Sequence, residues 1–214
     1  MKLIIPEQRL LNRTNDVDYY YWNYEFPIKY IQLYRFKSIV KLLGDTVYPR
    51  LLEVGTGSGI FLPELARHCE KLYACDIHPH FDNIDLMLKQ YHINNYELKS
   101  QSIQNTDYHD NYFDAIVAVS VLEFVTDLQA ALSEVKRILK KDGVFITICP
   151  MDSRLLDFFL SLYAKKTAKE EFGDSRKYVC KALELNFKII KKGYMTPIIG
   201  KLFPVYTHFK LQNI

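Results

Sequence analysis

The sequence predicts an α/β fold built on a parallel sheet. Two observations carry the prediction. A glycine-rich turn links an apolar run to a helical run at residues 51–69, and from there to residue 149 short apolar runs alternate with helical stretches. Parallel strands need crossover helices, so this alternation is the pattern of a sheet covered on both faces. No internal repeat or low-complexity segment interrupts it.

Residues 1–25 are polar and aromatic without clear periodicity, and Tyr19-Tyr20-Tyr21-Trp22-Asn23-Tyr24-Glu25-Phe26 is the densest aromatic cluster in the chain. Ile28, Ile31, Leu33, Phe36, Ile39, Val40 and Leu43 fall on one helical face, with Gly44 placed to cap it. Leu51-Leu52-Glu53-Val54 reads as a buried strand and residues 60–69 as its helix. Residues 71–76 and 96–99 read as the second and third strands, with a helix at 84–91 between them. The apolar, β-branched run at 115–120 is a central strand. A helix at 128–139 and an Asp142-Gly143 turn lead into a fifth strand at 144–149. Helices are predicted at 153–168 and 175–185, then strands at 187–193 and 206–211. The Pro/Gly-rich connection at 197–204 marks those two strands as an antiparallel pair closing the sheet edge.

Composition narrows the class. A chain of 214 residues holds one domain with a sizeable core and is cramped for two. With 49% apolar and 25% charged residues it has an ordinary globular composition. The net charge of +3 is too small to imply nucleic acid, although residues 187–214 carry five lysines and no acid. That end reads as a solvated sheet edge, with contact to an acidic partner or a membrane surface as the alternative. The four cysteines are scattered without a C-x-x-C pair, so a reducing, cytoplasmic setting is expected. The first residues are too weakly apolar for a signal peptide, and no run is long enough to span a bilayer.

The most informative residues are Gly55-Thr56-Gly57-Ser58-Gly59. Three glycines after a strand let the backbone turn tightly and approach a ligand. A dinucleotide fingerprint is G-x-G-x-x-G, and here the third glycine arrives one residue early. Glu53, two residues before the first glycine, would repel a phosphate. A ligand that lacks phosphate and carries positive charge suits that acid, and S-adenosylmethionine is such a ligand.

The chain resembles the class I S-adenosylmethionine-dependent methyltransferases, within them the small-molecule group related to the ubiquinone and menaquinone methyltransferases. Four pieces in order carry the resemblance: the glycine motif, Asp76, Asn111-Tyr112-Phe113-Asp114, and the stretch from Val135 through Lys141-Asp142-Gly143. It implies a Rossmann-like three-layer sandwich whose mostly parallel seven-stranded sheet has an antiparallel last strand. It also implies one domain: an N-terminal helical and aromatic cap (1–45), a cofactor-binding core (46–150), and substrate-side helices with closing strands (151–214). Gly55, Thr56, Gly57 and Gly59 would allow close approach to the methionine end of the cofactor, whose amine Glu53 would hold. Asp76 would accept both ribose hydroxyls, Ile77 and Ile103 would sandwich the adenine, and the backbone near Val119 would accept from the ammonium. An acid usually binds the adenine amine; Ser102 stands at that position, so Asp107 or backbone groups would share the task. S-adenosylhomocysteine would be the product.

Other polar residues have plainer readings. Asp114 fixes the start of its strand. Asp76, His78, His80 and Asp82 read as a ribose ligand and a polar loop, so no metal is expected. Glu123 is either a substrate-facing residue or a carboxylate at a helix start. Glu123 and His208 are the candidate catalytic bases, His208 being equally readable as an edge-strand residue. Tyr19, Tyr20 and Trp22, together with Phe158 on the predicted 153–168 helix, would form an apolar lid over an aromatic or lipid-like small-molecule acceptor. Without a basic cluster beside those aromatics, an RNA substrate is disfavoured. A non-catalytic binding or scaffold protein of the same fold is the alternative, as is an RNA or protein methyltransferase. The molecule is expected as a monomer or homodimer.

Overall fold

The computed structural model describes residues 2–151, 175–195 and 205–213. The predicted 153–168 helix, Phe158 and the 197–204 connection lie outside them. Seven strands form one sheet: β1 (Tyr48–Val54), β2 (Cys69–Asp76), β3 (Tyr96–Ser100), β4 (Phe113–Val119), β5 (Leu139–Pro150), β6 (Lys188–Met195) and β7 (Tyr206–Gln212), in the order β3-β2-β1-β4-β5-β7-β6. The first five run parallel, and β7 is antiparallel to both β5 and β6.

The period of two along each strand sorts the core into two layers. Leu51, Ala115, Val117, Ile146 and Ile148 face one side, where they pack with α1 (Ile28–Leu43), α2 (Leu62–Leu65) and α3 (Asp82–Gln90). Leu52, Val54, Ile116 and Phe145 face the other, with α4 (Leu128–Ile138) and α5 (Ser175–Asn186). The apolar stripe of α1 is buried and Gly44, at φ 72°, returns its N–H to the Val40 carbonyl. Asp127 caps α4 by accepting from the Ala130 N–H at 2.9 Å.

Two elements depart from expectation. The predicted 60–69 helix is only α2 followed by a 3-10 turn at Ala66–His68, because β2 already pairs at Cys69 with Tyr48. The Asp142-Gly143 turn appears instead as a bulge inside β5: pairing jumps from Phe113 with Leu139 to Ala115 with Val144. Asp114 pins that irregular start, accepting from the Arg50 N–H and from Lys140 Nζ at 3.1 and 2.5 Å.

The N-terminal segment is stitched back onto the sheet layers. The Ile4 N–H donates to buried Glu64 at 2.7 Å, and the Tyr24 hydroxyl donates to the Pro6 carbonyl. No helix among the described residues is long and apolar enough to cross a membrane.

Candidate active site

The chain leaves β1 toward β2 on one side and reaches β4 on the other, so a crevice opens at the carboxyl ends of these strands. The glycine turn lines it. Gly55 sits at φ 69° and donates its N–H to the Cys75 carbonyl at 2.8 Å. A Cβ there would lie 2.3 Å from Val121 Cγ2, so only glycine lets the turn close against the loop after β4. Gly57, at φ 52°, would meet nothing nearer than the Asp18 carboxyl at 3.6 Å, so its backbone faces the open crevice.

Asp76 ends β2 and holds the turn: the Gly57 N–H donates to its Oδ2 at 2.9 Å. His78 holds it from behind. The His80 N–H donates to His78 Nδ1 at 3.0 Å, which places the ring proton on Nε2, where it is donated to the Gly57 carbonyl at 2.9 Å. Both nitrogens of His78 are thus spent on the loop.

Glu53 lies beneath the turn, buried, and accepts from the Thr56 hydroxyl at 2.7 Å. Burial pushes its carboxyl up to about 8; the Thr56 hydrogen bond opposes this and the charge of Asp76 adds to it. The folded protein therefore keeps a proton that the unfolded chain gives up. The resulting stability is fully present below the ordinary carboxylate value and lost as pH rises through about 8. Glu53→Gln should remove this loss. Thermal melts across that window should show its Tm gaining on wild type toward alkaline pH, by an amount worth on the order of a few kcal/mol. A difference constant with pH would refute it.

Just past the ends of β2 and β3 the crevice is lined by Ile77, which is 75% exposed, and Ile103, which is 6% exposed. Ser102 lines it too, its hydroxyl accepting from the Gln104 N–H at 3.2 Å. Asp107 does not reach it: its carboxylate pairs with Lys99 at 3.0 Å on the surface. Gln101 takes that place in the wall, with a buried Nε2 donor that has no partner.

The other end of the crevice is closed by the N-terminal segment and β7. Tyr19 stacks on buried Trp22, ring centres 4.2 Å apart and planes within 7°, and Tyr20 joins them in the wall. Asp18 stands over the glycine turn, with the Thr14 N–H and hydroxyl donating to it. Arg35, on α1, donates to the Ser120 hydroxyl at 2.9 Å and to Gln32. Ser120 follows β4 at φ 55°, a left-handed conformation held in part by its N–H bond to the Ile148 carbonyl. Glu123 and Tyr206 complete this end, which with the glycine side encloses a cavity of about 370 Å³.

The structure brings Glu53, Gly55, Thr56, Gly57, Asp76, Ile77, Ser102, Ile103, Val119, Tyr19, Tyr20, Trp22 and Glu123 to one cavity. Gly59 is not in its lining; a Cβ there would press on Ile84 at 2.9 Å, so its glycine serves packing. His208 is not there either. It lies on β7 against Gly193, a step inside Tyr206, which pairs with Pro150 at the strand end. Asp18, Gln32, Arg35, Gln101 and Tyr206 were missed by sequence reasoning.

A family model described as a methyltransferase domain matches residues 52–147. A search of curated proteins finds no match. Among solved structures the chain is similar to a SAM-dependent methyltransferase from Aquifex aeolicus: 17% identity over 89% of this chain and 100% of that one, with TM-score 0.65. It is similar also to the N-methyltransferase NodS from Bradyrhizobium japonicum WM9 in complex with S-adenosyl-L-homocysteine. There the identity is 17%, the coverage 85% and 87%, and the TM-score 0.63. The [4+2]-cyclase SpnF matches at 13% identity, over 83% and 80% of the chains, with TM-score 0.64. At such identities the shared feature is the fold, and one fold hosts several chemistries.

Proposed function

We propose that this chain is a class I methyltransferase with S-adenosylmethionine as its cofactor, and that it methylates a small aromatic or apolar acceptor seated beside Trp22. The crevice fits the cofactor on its own observations. The Gly57 backbone lines the cavity, with the Asp18 carboxyl 3.6 Å from where a Cβ would stand, and Asp76 Oδ1, held by a 3.4 Å contact from the His78 N–H, has lone pairs for ribose hydroxyls. Glu53 lies beneath the turn for the ammonium, with the backbone near Val119 as a second acceptor. Ile77 and Ile103 flank the adenine, and the Gln101 amide, whose Oε1 already accepts the Asp107 N–H, offers its Nε2 to the adenine edge beside Ser102.

When bound, the cofactor supplies an electrophilic methyl carbon on a sulfonium. The chain's own task is to align a nucleophile and exclude water. The observation that supports an apolar acceptor is the ring-lined end of the cavity, where Tyr20, Trp22, Phe124, Pro150 and Tyr206 converge. Trp22 is already stacked on Tyr19, which disfavours base stacking and hence an RNA substrate.

Trp22 is the single tryptophan of the chain, so its fluorescence reports on this end. Hydroquinone added to protein saturated with S-adenosylhomocysteine should quench it saturably, and glycerol should not. Trp22→Ala, which removes the fluorophore and is therefore titrated by calorimetry beside wild type, should weaken hydroquinone about tenfold or more, as loss of a large aromatic contact predicts, and spare S-adenosylhomocysteine. Quenching that rises linearly without saturation would sink the acceptor reading.

A further inference from the structure

Glu123 is the most anomalous side chain in the structure. It follows β4 in a 3-10 turn, is 5% exposed, and lines the cavity, yet among the described residues its carboxylate is met by no side chain within hydrogen-bond distance, only by its own backbone N–H acting on it. An unsatisfied buried carboxylate costs free energy that a purely structural residue would not retain, because a leucine or glutamine would fill the space. Its surroundings are unusual as well. Arg35 on α1 and Arg176 on α5 act on it electrostatically, and Tyr206 on β7 and the thiols Cys149 on β5 and Cys180 on α5 lie within its field. Arg35 is incomplete in the opposite sense: among the described residues its buried Nε has no acceptor in good hydrogen-bond geometry, although the guanidinium acts on the Tyr206 hydroxyl. An acceptor-only group and a donor-only group, both short of partners, thus line one cavity. A group that donates with one atom and can carry negative charge on the same atom satisfies both. A hydroxyl meets this requirement; an amine has no oxyanion to offer Arg35.

We propose that the methyl acceptor presents a hydroxyl, that Glu123 takes its proton, and that Arg35, set by Ser120 and Gln32, holds the oxygen as negative charge develops. The inference rests on the methyltransferase reading and deepens it to O-methylation of an acidic hydroxyl such as a phenol. The balance closes. The O–H bond breaks and its proton joins the carboxylate, while an oxygen lone pair forms the new O–C bond. The C–S bond breaks with its electron pair going to sulfur, leaving a neutral thioether and a neutral acid. Burial raises the Glu123 carboxyl to about 8, opposed by a hydrogen bond from its own backbone and by the charges of Arg35 and Arg176, which makes it, once ionised, a base strong enough for a phenol.

The test uses protein loaded with S-adenosylhomocysteine and 4-nitrophenol, whose phenolate is yellow, in mildly acidic buffer where the free probe is the colourless phenol. Wild type should bind the probe as phenolate beside Arg35, its proton released to solvent because Glu123 already holds one at that pH, so this arm reads the oxyanion contact alone. Arg35→Gln should lose the colour and at least about tenfold in affinity, the loss of one charge-assisted hydrogen bond. The second arm compares transfer from S-adenosylmethionine to hydroquinone and to 1,4-phenylenediamine, which differ only in the nucleophile. Hydroquinone should be methylated, with Glu123→Gln lowering the rate about a hundredfold or more while affinity for S-adenosylhomocysteine is kept; Glu123→Asp should recover part of it. The rate should rise with pH as Glu123 loses its proton, at the same pH for hydroquinone as for the more acidic 4-nitrophenol. A bound probe that stays colourless, preference for the diamine, or a Glu123→Gln rate equal to wild type would overturn the proposal. So would failure to methylate either phenol while S-adenosylhomocysteine still binds. Failure to bind S-adenosylhomocysteine would instead overturn the cofactor reading beneath it.

Discussion

Asp76→Ala is expected to abolish measurable binding of S-adenosylhomocysteine. The carboxylate performs two tasks that alanine cannot share. It accepts the Gly57 N–H at 2.9 Å, which holds the glycine turn in shape, and it offers acceptors to ribose hydroxyls on the proposed reading. Hydrogen bonds to a charged group are worth about 1.5–3 kcal/mol each. Losing two therefore lowers affinity roughly 10²–10⁴-fold, before any cost of a loosened turn. Calorimetric titration of wild type and mutant, with NAD as the control ligand, measures it. Binding of S-adenosylhomocysteine by the mutant within about threefold of wild type would remove Asp76 from the site. Binding of NAD by the wild type would undermine the argument that Glu53 repels phosphate.

Gly55→Ala carries the second large effect, divided between strain and overlap. The backbone at φ 69° costs a residue with a Cβ about 1–2 kcal/mol. The new methyl would sit 2.3 Å from Val121 Cγ2, and overpacking of that kind costs about 1–3 kcal/mol. Urea unfolding should show both, and the double variant with Val121→Ala should recover only the overlap. Gly57→Ala is the instructive contrast. Its Cβ meets no near neighbour, so the stability cost should be the strain alone, yet the methyl enters the cavity and ligand affinity should fall. If Gly55→Ala unfolds at the wild-type urea midpoint, the close packing of turn against loop is not what selects glycine.

The glycine-turn half of the cavity was legible because its parts lie at strand ends. Glu53, Gly55, Gly57 and Asp76 follow directly from apolar runs whose length and turn residues mark where each strand stops. The ring-lined half was not. Arg35 and Gln32 sit on the polar side of α1, which in sequence is indistinguishable from a solvated helix face. Only the packing of α1 against β5 and β7 turns them inward. Gln101 was obscured because Ser102 occupies the position where the resemblance directs attention. His208 was chosen for its chemistry, but β7 runs antiparallel, so the residue delivered to the crevice is the one that begins the strand, Tyr206. The expected 60–69 helix failed for a different reason: helical periodicity could not show that β2 would claim Cys69.

The stitched N-terminal segment bears on timing. Ile4 tied to Glu64, Tyr24 tied to Pro6, and Asp18 standing over Gly57 hold one strap against the cavity, which on the proposed reading would cover both ligands at once. A product formed beneath that strap leaves no faster than the strap lifts. Residence times of the nucleoside product and the methylated acceptor should then lengthen together, and turnover should follow the opening rate of residues far from the reacting atoms. Loosening the Ile4 tether, at a site with no ligand near it, would shorten both residence times without touching a single contact to either molecule.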